Sequence, residues 1–397
     1  MDFEFRTTPE MEEFRQEVRR WLNDNVPADL DTPVDQLTLR YDQFKRNKEL
    51  RGKIGEKGWY APQWPKEYGG GGLKPELAVV LEEELVSRIK NLGTFMIEGD
   101  IGISAAAALL HMGSEEQRQR FLPSILKGRN IVWELFTEPN AGSDLPSMTT
   151  QAVRDGDEYV LNGTKTFVAA IHESDYMFTL AVTNPDQPRH NNLGAFMIPS
   201  DTPGITVHSL DLIGGGGKRT IFLENVRVPL NNLIGREGEG WRAFTGPHPV
   251  SPSLIIDREQ LMEKFLDYVK EITYDRVPIT NAPEIQSAVV DVYLGNRVHQ
   301  LLGKRNYWIG VTNQRFTYQG QQYGLDRKLY GPKLAKAMLQ TLGPSALIKD
   351  DPKWAAMDNE AEWYTRQAVV RGHPGGTVEV HKLRMWRGCI GHTMFER

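Results

Sequence analysis

The apolar pattern of this chain changes period twice, and those changes restrict its fold more than any other feature. From Pro9 to about residue 130, apolar residues recur at helical spacing. Phe14, Val18 and Trp21 (then Leu22) share one face of the first helix, and further helices are predicted over 77–89, 101–110 and 115–127. From residue 131 the period falls to two, as expected where alternate side chains point to opposite faces of a sheet. Strands are predicted at Met177–Val182, Leu193–Ile198, Ile205–Leu210 and Thr220–Val228. Asp155-Gly156 and Asn162-Gly163 have the composition of hairpin turns, which gives a strand at Glu158–Leu161 and a partner returning over Thr164–Val168. Past Gly238-Glu239-Gly240-Trp241 the helical period returns. Ser251-Pro252 reads as an N-cap with proline in the first turn, and Leu261, Phe265, Val269 and Ile272 follow on one face until Pro278 ends or kinks the helix. Long helices are predicted over Pro283–Thr312 and Gly331–Leu342, with the polar stretch Asp350–Glu362 as a surface excursion.

This order gives an α+β chain with three domains: N-terminal α-helical (1–130), middle β-barrel or sandwich (131–240) and C-terminal α-helical (241–397). A formal charge of −5 indicates neither a nucleic-acid platform nor a polybasic membrane surface. No apolar run approaches the roughly 20 residues that span a bilayer. The opening Met1-Asp2-Phe3-Glu4 is acidic, unlike a transit peptide, so a cytoplasmic location is expected. One cysteine, Cys389, excludes an intrachain disulfide and argues against a cysteine-based metal site; no metal is expected. The Gly69–Gly72 run lacks the Lys-Ser/Thr of a phosphate-binding loop and is read as a connection, as is Gly214–Gly217.

Three short blocks carry the chemistry. Phe136-Thr137-Glu138-Pro139-Asn140-Ala141-Gly142-Ser143-Asp144 is polar and turn-rich: Pro139 cannot donate a backbone hydrogen bond, and Gly142 adds conformational freedom. Asn162-Gly163-Thr164-Lys165-Thr166-Phe167 follows, and Gly375-Gly376-Thr377-Val378-Glu379 lies near the end. In this order and spacing they resemble the acyl-CoA dehydrogenase family of FAD flavoproteins, over nearly the whole chain but less closely in the last third. The resemblance implies α,β-desaturation of an acyl-CoA thioester, FAD as cofactor, a four-helix bundle as the C-terminal domain, and an electron-transfer flavoprotein as electron acceptor. It places Leu135, Phe136 and Thr137 along the flavin, with Thr137 hydrogen-bonded to it. Gly142 and Ser143 are placed at the pyrophosphate or neighbouring substrate groups, and Phe167 takes the position of an aromatic against the flavin. Ala169 stands where the family usually has a threonine that bonds the ring.

The chemistry needs a carboxylate beside the substrate α-carbon. One family position for it, just before the Gly-Thr of the last block, is Gly375 here. The other, on the first long helix of the C-terminal domain, is Asp257, followed by Arg258 as a substrate contact with Ser143. As a plain surface acid paired with arginine, Asp257 would contribute under about 1 kcal/mol. Two preceding isoleucines favour an apolar setting that raises its pKa. Glu259 and Glu138 are weaker candidates, Glu138 matching a structural position. Arg276, Gln286, Thr377 and Glu379 match positions that reach the FAD of a neighbouring subunit, which implies a homo-oligomer or a heteromer with a second acyl-CoA dehydrogenase-like chain. The Phe-Gly that usually follows Arg276 is missing, as in the heteromeric, steroid-type members. A non-catalytic companion subunit, and a flavin oxidase on the same fold, are the competing readings.

Overall fold

The computed structural model describes residues 7–30, 39–89, 95, 102–214, 217–247, 249–254, 260–274, 276–368, 370 and 372–390. The chain divides into two compact units, one over residues 7–249 and one holding residues 250–397.

The first unit opens with α1 (Pro9–Asn25), α2 (Tyr41–Glu56), α3 (Pro75–Arg88), α4 (Ile103–Met112) and α5 (Glu115–Leu126). The Thr8 hydroxyl accepts from the Met11 N–H at 3.2 Å, satisfying a donor that the first turn of α1 leaves over. Val18 and Leu22 are buried, while Phe14 and Trp21 meet Trp59 edge-on. Arg15 and Arg19 donate to the buried Glu84 at 2.6 and 2.7 Å, which ties α1 to α3. The Gly69–Gly72 loop is glycine-rich for packing reasons. A Cβ at Gly71 would lie 2.4 Å from the Gly58 carbonyl oxygen, and one at Gly70 would lie 2.4 Å from that of Trp64.

The sheet of this unit contains β1 (Val132–Leu135), β2 (Gln151–Asp155), β3 (Glu158–Ala169), β4 (Tyr176–Val182), β5 (Leu193–Pro199), β6 (Ile205–Leu210), β7 (Lys218–Pro229) and β8 (Leu233–Ile234). Its order is β6-β7-β3-β2-β4-β5-β8, with β1 parallel to β4. A single residue pair, Gln151 with Val182, joins β2 to β4, so two half-sheets meet there. One core lies between them: Tyr159, Leu161, Ile221, Leu223, Val226 and Val228 from one half, Trp133, Leu135, Met177, Phe196 and Ile198 from the other. The alternate residues Phe178, Leu180, Leu193, Ala195 and Met197 join the core of the helices instead. That half-sheet is buried on both faces, which explains why β4 and β5 read as near-continuous apolar runs.

One strand expectation needs correction. Asn162-Gly163 is no hairpin turn: β3 runs through it from Glu158 to Ala169, and both of its halves pair with β7. The pair sits at a register shift, where a Cβ on Gly163 would lie 2.3 Å from Thr150 Oγ1. The true turn joins Asp155 to Glu158, which face each other across β2 and β3. A second shift, between Lys165 and Val168, contains Phe167 at φ 56°. The extra residue re-aims the strand, leaving Lys165 and Val168 buried and Phe167 exposed. The unit ends with α6 (Gly240–Phe244).

In the second unit Pro252–Leu254 forms one 3₁₀ turn and α7 covers Gln260–Glu271. Pro278 does not kink that helix; it lies in a small hairpin of β9 (Thr273–Tyr274) and β10 (Val277–Pro278). The long helices α8 (Pro283–Val311) and α9 (Gln319–Leu342) follow. They are antiparallel, since His299 bonds Asp326, Arg305 bonds Gln322 and Asn306 bonds the Gln319 carbonyl. α9 begins twelve residues before the expected Gly331 and carries Pro332 inside it. The stretch expected as a surface excursion is anchored: Ala356 and Met357 are buried, and Lys264 bridges Asp358 and Glu360 at 2.9 Å each. α10 (Glu360–Ala368) and α11 (Val378–Ile390) complete the helices packed on α9. No helix among the described residues is long and apolar enough to cross a membrane.

Candidate active site

The segment leaving β1 is held from behind, one carbonyl at a time. The Leu135 oxygen accepts from Thr179 Oγ1 at 2.7 Å, that of Phe136 from Lys165 Nζ at 3.4 Å, and that of Thr137 from the Thr166 N–H at 2.8 Å. The Glu138 oxygen accepts from Ala141 N–H at 3.2 Å, and Glu138 N–H donates back to Ala141 at 3.0 Å, which closes the turn around Pro139 and Asn140. Leu135 itself is fully buried in the sheet core, so its side chain is closed off from any ligand. Phe136 is half-buried, edge-on to Phe178 and to Phe244 with ring centres 5.5 and 4.6 Å away. The half-exposed Thr137 hydroxyl and the exposed Ser143 hydroxyl have no hydrogen-bond partner among the described residues. A Cβ at Gly142 would meet only the Thr137 methyl group, at 4.0 Å. Asp144 is paired with Arg189. Phe167 follows Thr166 directly, so β3 brings an aromatic with 52% exposure beside Thr137. Ala169 faces Lys218 across the β3–β7 ladder, and burial pushes that lysine down from its ordinary pKa.

Beneath this surface lies a buried ion pair whose role the sequence did not reveal. Lys165 is fully buried and Glu138 nearly so, with Nζ and Oε1 2.9 Å apart. Lys165 also donates to the Leu180 carbonyl at 2.9 Å and lies 3.7 Å from the Met148 sulfur. Glu138 accepts from Thr149 N–H at 2.6 Å, Thr149 Oγ1 at 2.9 Å and Thr150 N–H at 3.0 Å. Burial alone would raise the Glu138 carboxyl, but the lysine charge and the threonine donors outweigh it and hold the group at about 2. Burial pushes Lys165 down to about 8 against the pull of Glu138, so both groups are charged at neutral pH. A carboxylate held this low is a poor proton acceptor, which removes Glu138 from the candidate bases.

The second unit holds the other expected residues. Arg276 is exposed at φ 67° in the β9–β10 hairpin, and the Gln286 side chain donates to the Thr280 carbonyl at 2.7 Å. The Thr377 hydroxyl accepts from Val380 N–H at 3.3 Å and so starts α11, whose first turn carries the exposed Glu379. Gly375 and Gly376 have φ of 70° and 91°, a left-handed turn that side chains disfavour. Two residues missed in the sequence anchor this turn. Lys328 donates to the Pro374 carbonyl at 2.6 Å, and the buried His381 ring bonds Gln321 through Nδ1 at 2.9 Å. Asp257, Arg258 and Glu259 lie outside the described residues.

An unpartnered hydroxyl on a backbone fixed from behind, with an open glycine, an exposed serine and a displayed aromatic on the same two segments, suits a planar polar ring with a phosphate-bearing tail such as FAD. Comparison with known proteins points the same way. Residues 8–129 match the acyl-CoA dehydrogenase N-terminal domain and residues 134–226 the middle domain. YngJ of Bacillus subtilis, named a probable acyl-CoA dehydrogenase, is 30% identical over 354 residues, covering 85% of this chain and 88% of its own. The acyl-CoA dehydrogenase FadE26 of Mycobacterium tuberculosis is 26% identical, with 94% and 95% covered. Among solved structures, the ChsE4–ChsE5 complex from Mycobacterium tuberculosis superposes with a TM-score of 0.78 at 24% identity, covering 98% of both chains. The Tcur3481–Tcur3483 steroid ACAD gives 0.79 at the same identity and coverage.

Proposed function

The chain belongs to the acyl-CoA dehydrogenase family, and from that premise we propose that it is an FAD-dependent enzyme that desaturates the α,β bond of an acyl-CoA thioester. The observation that carries this reading is the Leu135–Glu138 backbone, pinned at every carbonyl, with the Thr137 hydroxyl left over and Phe167 displayed beside it. FAD, when bound, supplies the acceptor for the electrons and hydrogen leaving the β-carbon. The protein's own part is to position and to move one proton. Thr137 and Phe167 orient the ring, and Gly142 leaves room where a side chain would intrude. Asp257, the base position that the resemblance implies, takes the α-proton; Gly375 offers no carboxylate, and the buried Glu138 carboxylate is committed to Lys165 and the threonine donors.

The direct test is to add FAD to the purified chain and record its visible spectrum before and after anaerobic acyl-CoA. A yellow protein that bleaches with acyl-CoA supports the reading. Bound flavin that no acyl-CoA bleaches would instead favour an oxidase with other substrates. Ala169 supplies no hydroxyl at the ring, which supports a second reading, a companion subunit completing a partner's site. A chain that takes up FAD only when co-expressed with a second acyl-CoA dehydrogenase-like subunit, and never alone, would make that reading the better one.

A further inference from the structure

We infer that Lys165 and Glu138 are positioning residues for the cofactor, acting as an internal spacer that sets where the Phe136–Thr137 backbone stands relative to a flavin ring; the inference rests on the FAD reading above. The contacts of Lys165 converge from separate parts of the unit. Its ammonium reaches the Glu138 carboxylate, the Phe136 carbonyl, the Leu180 carbonyl of β4 and the Met148 sulfur. Glu138 turns the other way and gathers the N–H groups of Thr149 and Thr150. Thr137 stands between the two residues this pair holds, Phe136 by its carbonyl and Glu138 by its side chain. Its own carbonyl is tied to Thr166, the neighbour of Lys165 on β3. The only side-chain group of Thr137 that can hydrogen-bond is therefore carried on a backbone with little freedom to shift.

Stability alone does not account for this arrangement. Two buried charges must be stripped of water, and exchanging such a pair for apolar groups of similar volume is often neutral or stabilising. What the charged pair offers over an apolar plug is direction. A lysine has no acceptor and three donors, and here its neighbours are a carboxylate, two carbonyls and a thioether. An apolar side chain would fill the space and leave the Phe136 carbonyl with no such partner. A displacement of about 1 Å in a group that orients a reacting partner is enough to weaken its contribution greatly.

The decisive experiment separates folding from positioning. Lys165→Met alone leaves a carboxylate buried without its cation and should lower the melting temperature sharply. Lys165→Met with Glu138→Gln removes both charges at nearly constant volume, so melting should recover. We expect the recovered double variant to bind FAD about tenfold more weakly than wild type and to shift the visible flavin bands, as a displaced Thr137 hydroxyl would. Should the double variant not fold, Lys165→Leu with Glu138→Gln likewise removes both charges, keeps an acceptor oxygen for the threonine donors and is read the same way. A folded variant of either kind with wild-type FAD affinity and wild-type bands would show a packing role only and overturn the inference. Wild-type chain that binds no FAD, alone or co-expressed, would overturn the functional reading and this inference together; that result is distinct because it appears before any substitution is made.

Discussion

Asp257 and Glu138 are both acids, and for Glu138 the surroundings decide what it can do. Glu138 has its carboxyl held down at about 2, below an ordinary 4.5, so its ionised form contributes stability above about pH 4.5. That contribution is lost as pH falls from 4.5 toward 2 and is on the order of 3 kcal/mol for such a shift. Melting curves between pH 6 and pH 3 should fall more steeply for wild type than for Glu138→Gln; parallel curves would show that Glu138 is not held ionised. For Asp257 the role we propose is that of the base. Asp257→Asn keeps the shape and removes the carboxylate, so acyl-CoA should reduce the flavin about 10²–10⁴-fold more slowly, with FAD binding unchanged. Asp257→Glu restores a longer side chain and should retain activity. Reduction of Asp257→Asn at the wild-type rate would move the base to another residue or a partner chain.

On α8 the apolar residues divide between two faces. Ile285, Val292 and Ile309 are buried, while Val290, Leu294, Val298 and Leu301 form a stripe that is 49–55% exposed. Four branched apolar side chains at helical spacing form an exposed patch of the kind that contact surfaces bury, and if the chain assembles as the family resemblance implies, this face is expected to take part. Leu294→Glu with Leu301→Glu should give a smaller species by light scattering with the helix content unchanged; an unchanged mass would remove this face from the assembly. α1 and β7 were legible in the sequence because period and burial agree along them. The misses lie where a distant segment decides. Gly163 carries a hairpin signature, yet it is there because Thr150 presses on it, and the extension of β3 follows from pairing with β7. Lys165 was visible as part of a motif, but its burial depends on Glu138, 27 residues earlier, and on the Leu180 carbonyl. Likewise Gly331-Pro332 looks like a helix start; α9 runs through it because Leu334, Ala335 and Met338 continue the core face of Tyr330.

For the whole molecule, the expected cofactor residues are divided between the two units. Leu135 to Phe167 lie in the first, whereas Arg276, Gln286, Thr377 and Glu379 lie in the second. If the second group serves a neighbour's cofactor, as the family resemblance implies, two differently damaged chains should repair each other. Gly142→Trp fills the open cradle beside Thr137 at a position where a side chain meets little else, so the fold should survive and the chain's own flavin face be lost. Arg276→Glu with Gln286→Ala changes two exposed side chains and should spoil only what is lent to a neighbour. Each variant alone should be colourless. Co-expressed and assembled at random as dimers, half of the molecules pair one of each, and each mixed dimer holds one intact site, so about a quarter of all sites should regain FAD. Recovery near that level, measured as flavin per chain after gel filtration, would place Arg276 and Gln286 across the subunit boundary. No recovery from two colourless parents would mean that each chain completes its own site, and flavin retention would then not require the assembly.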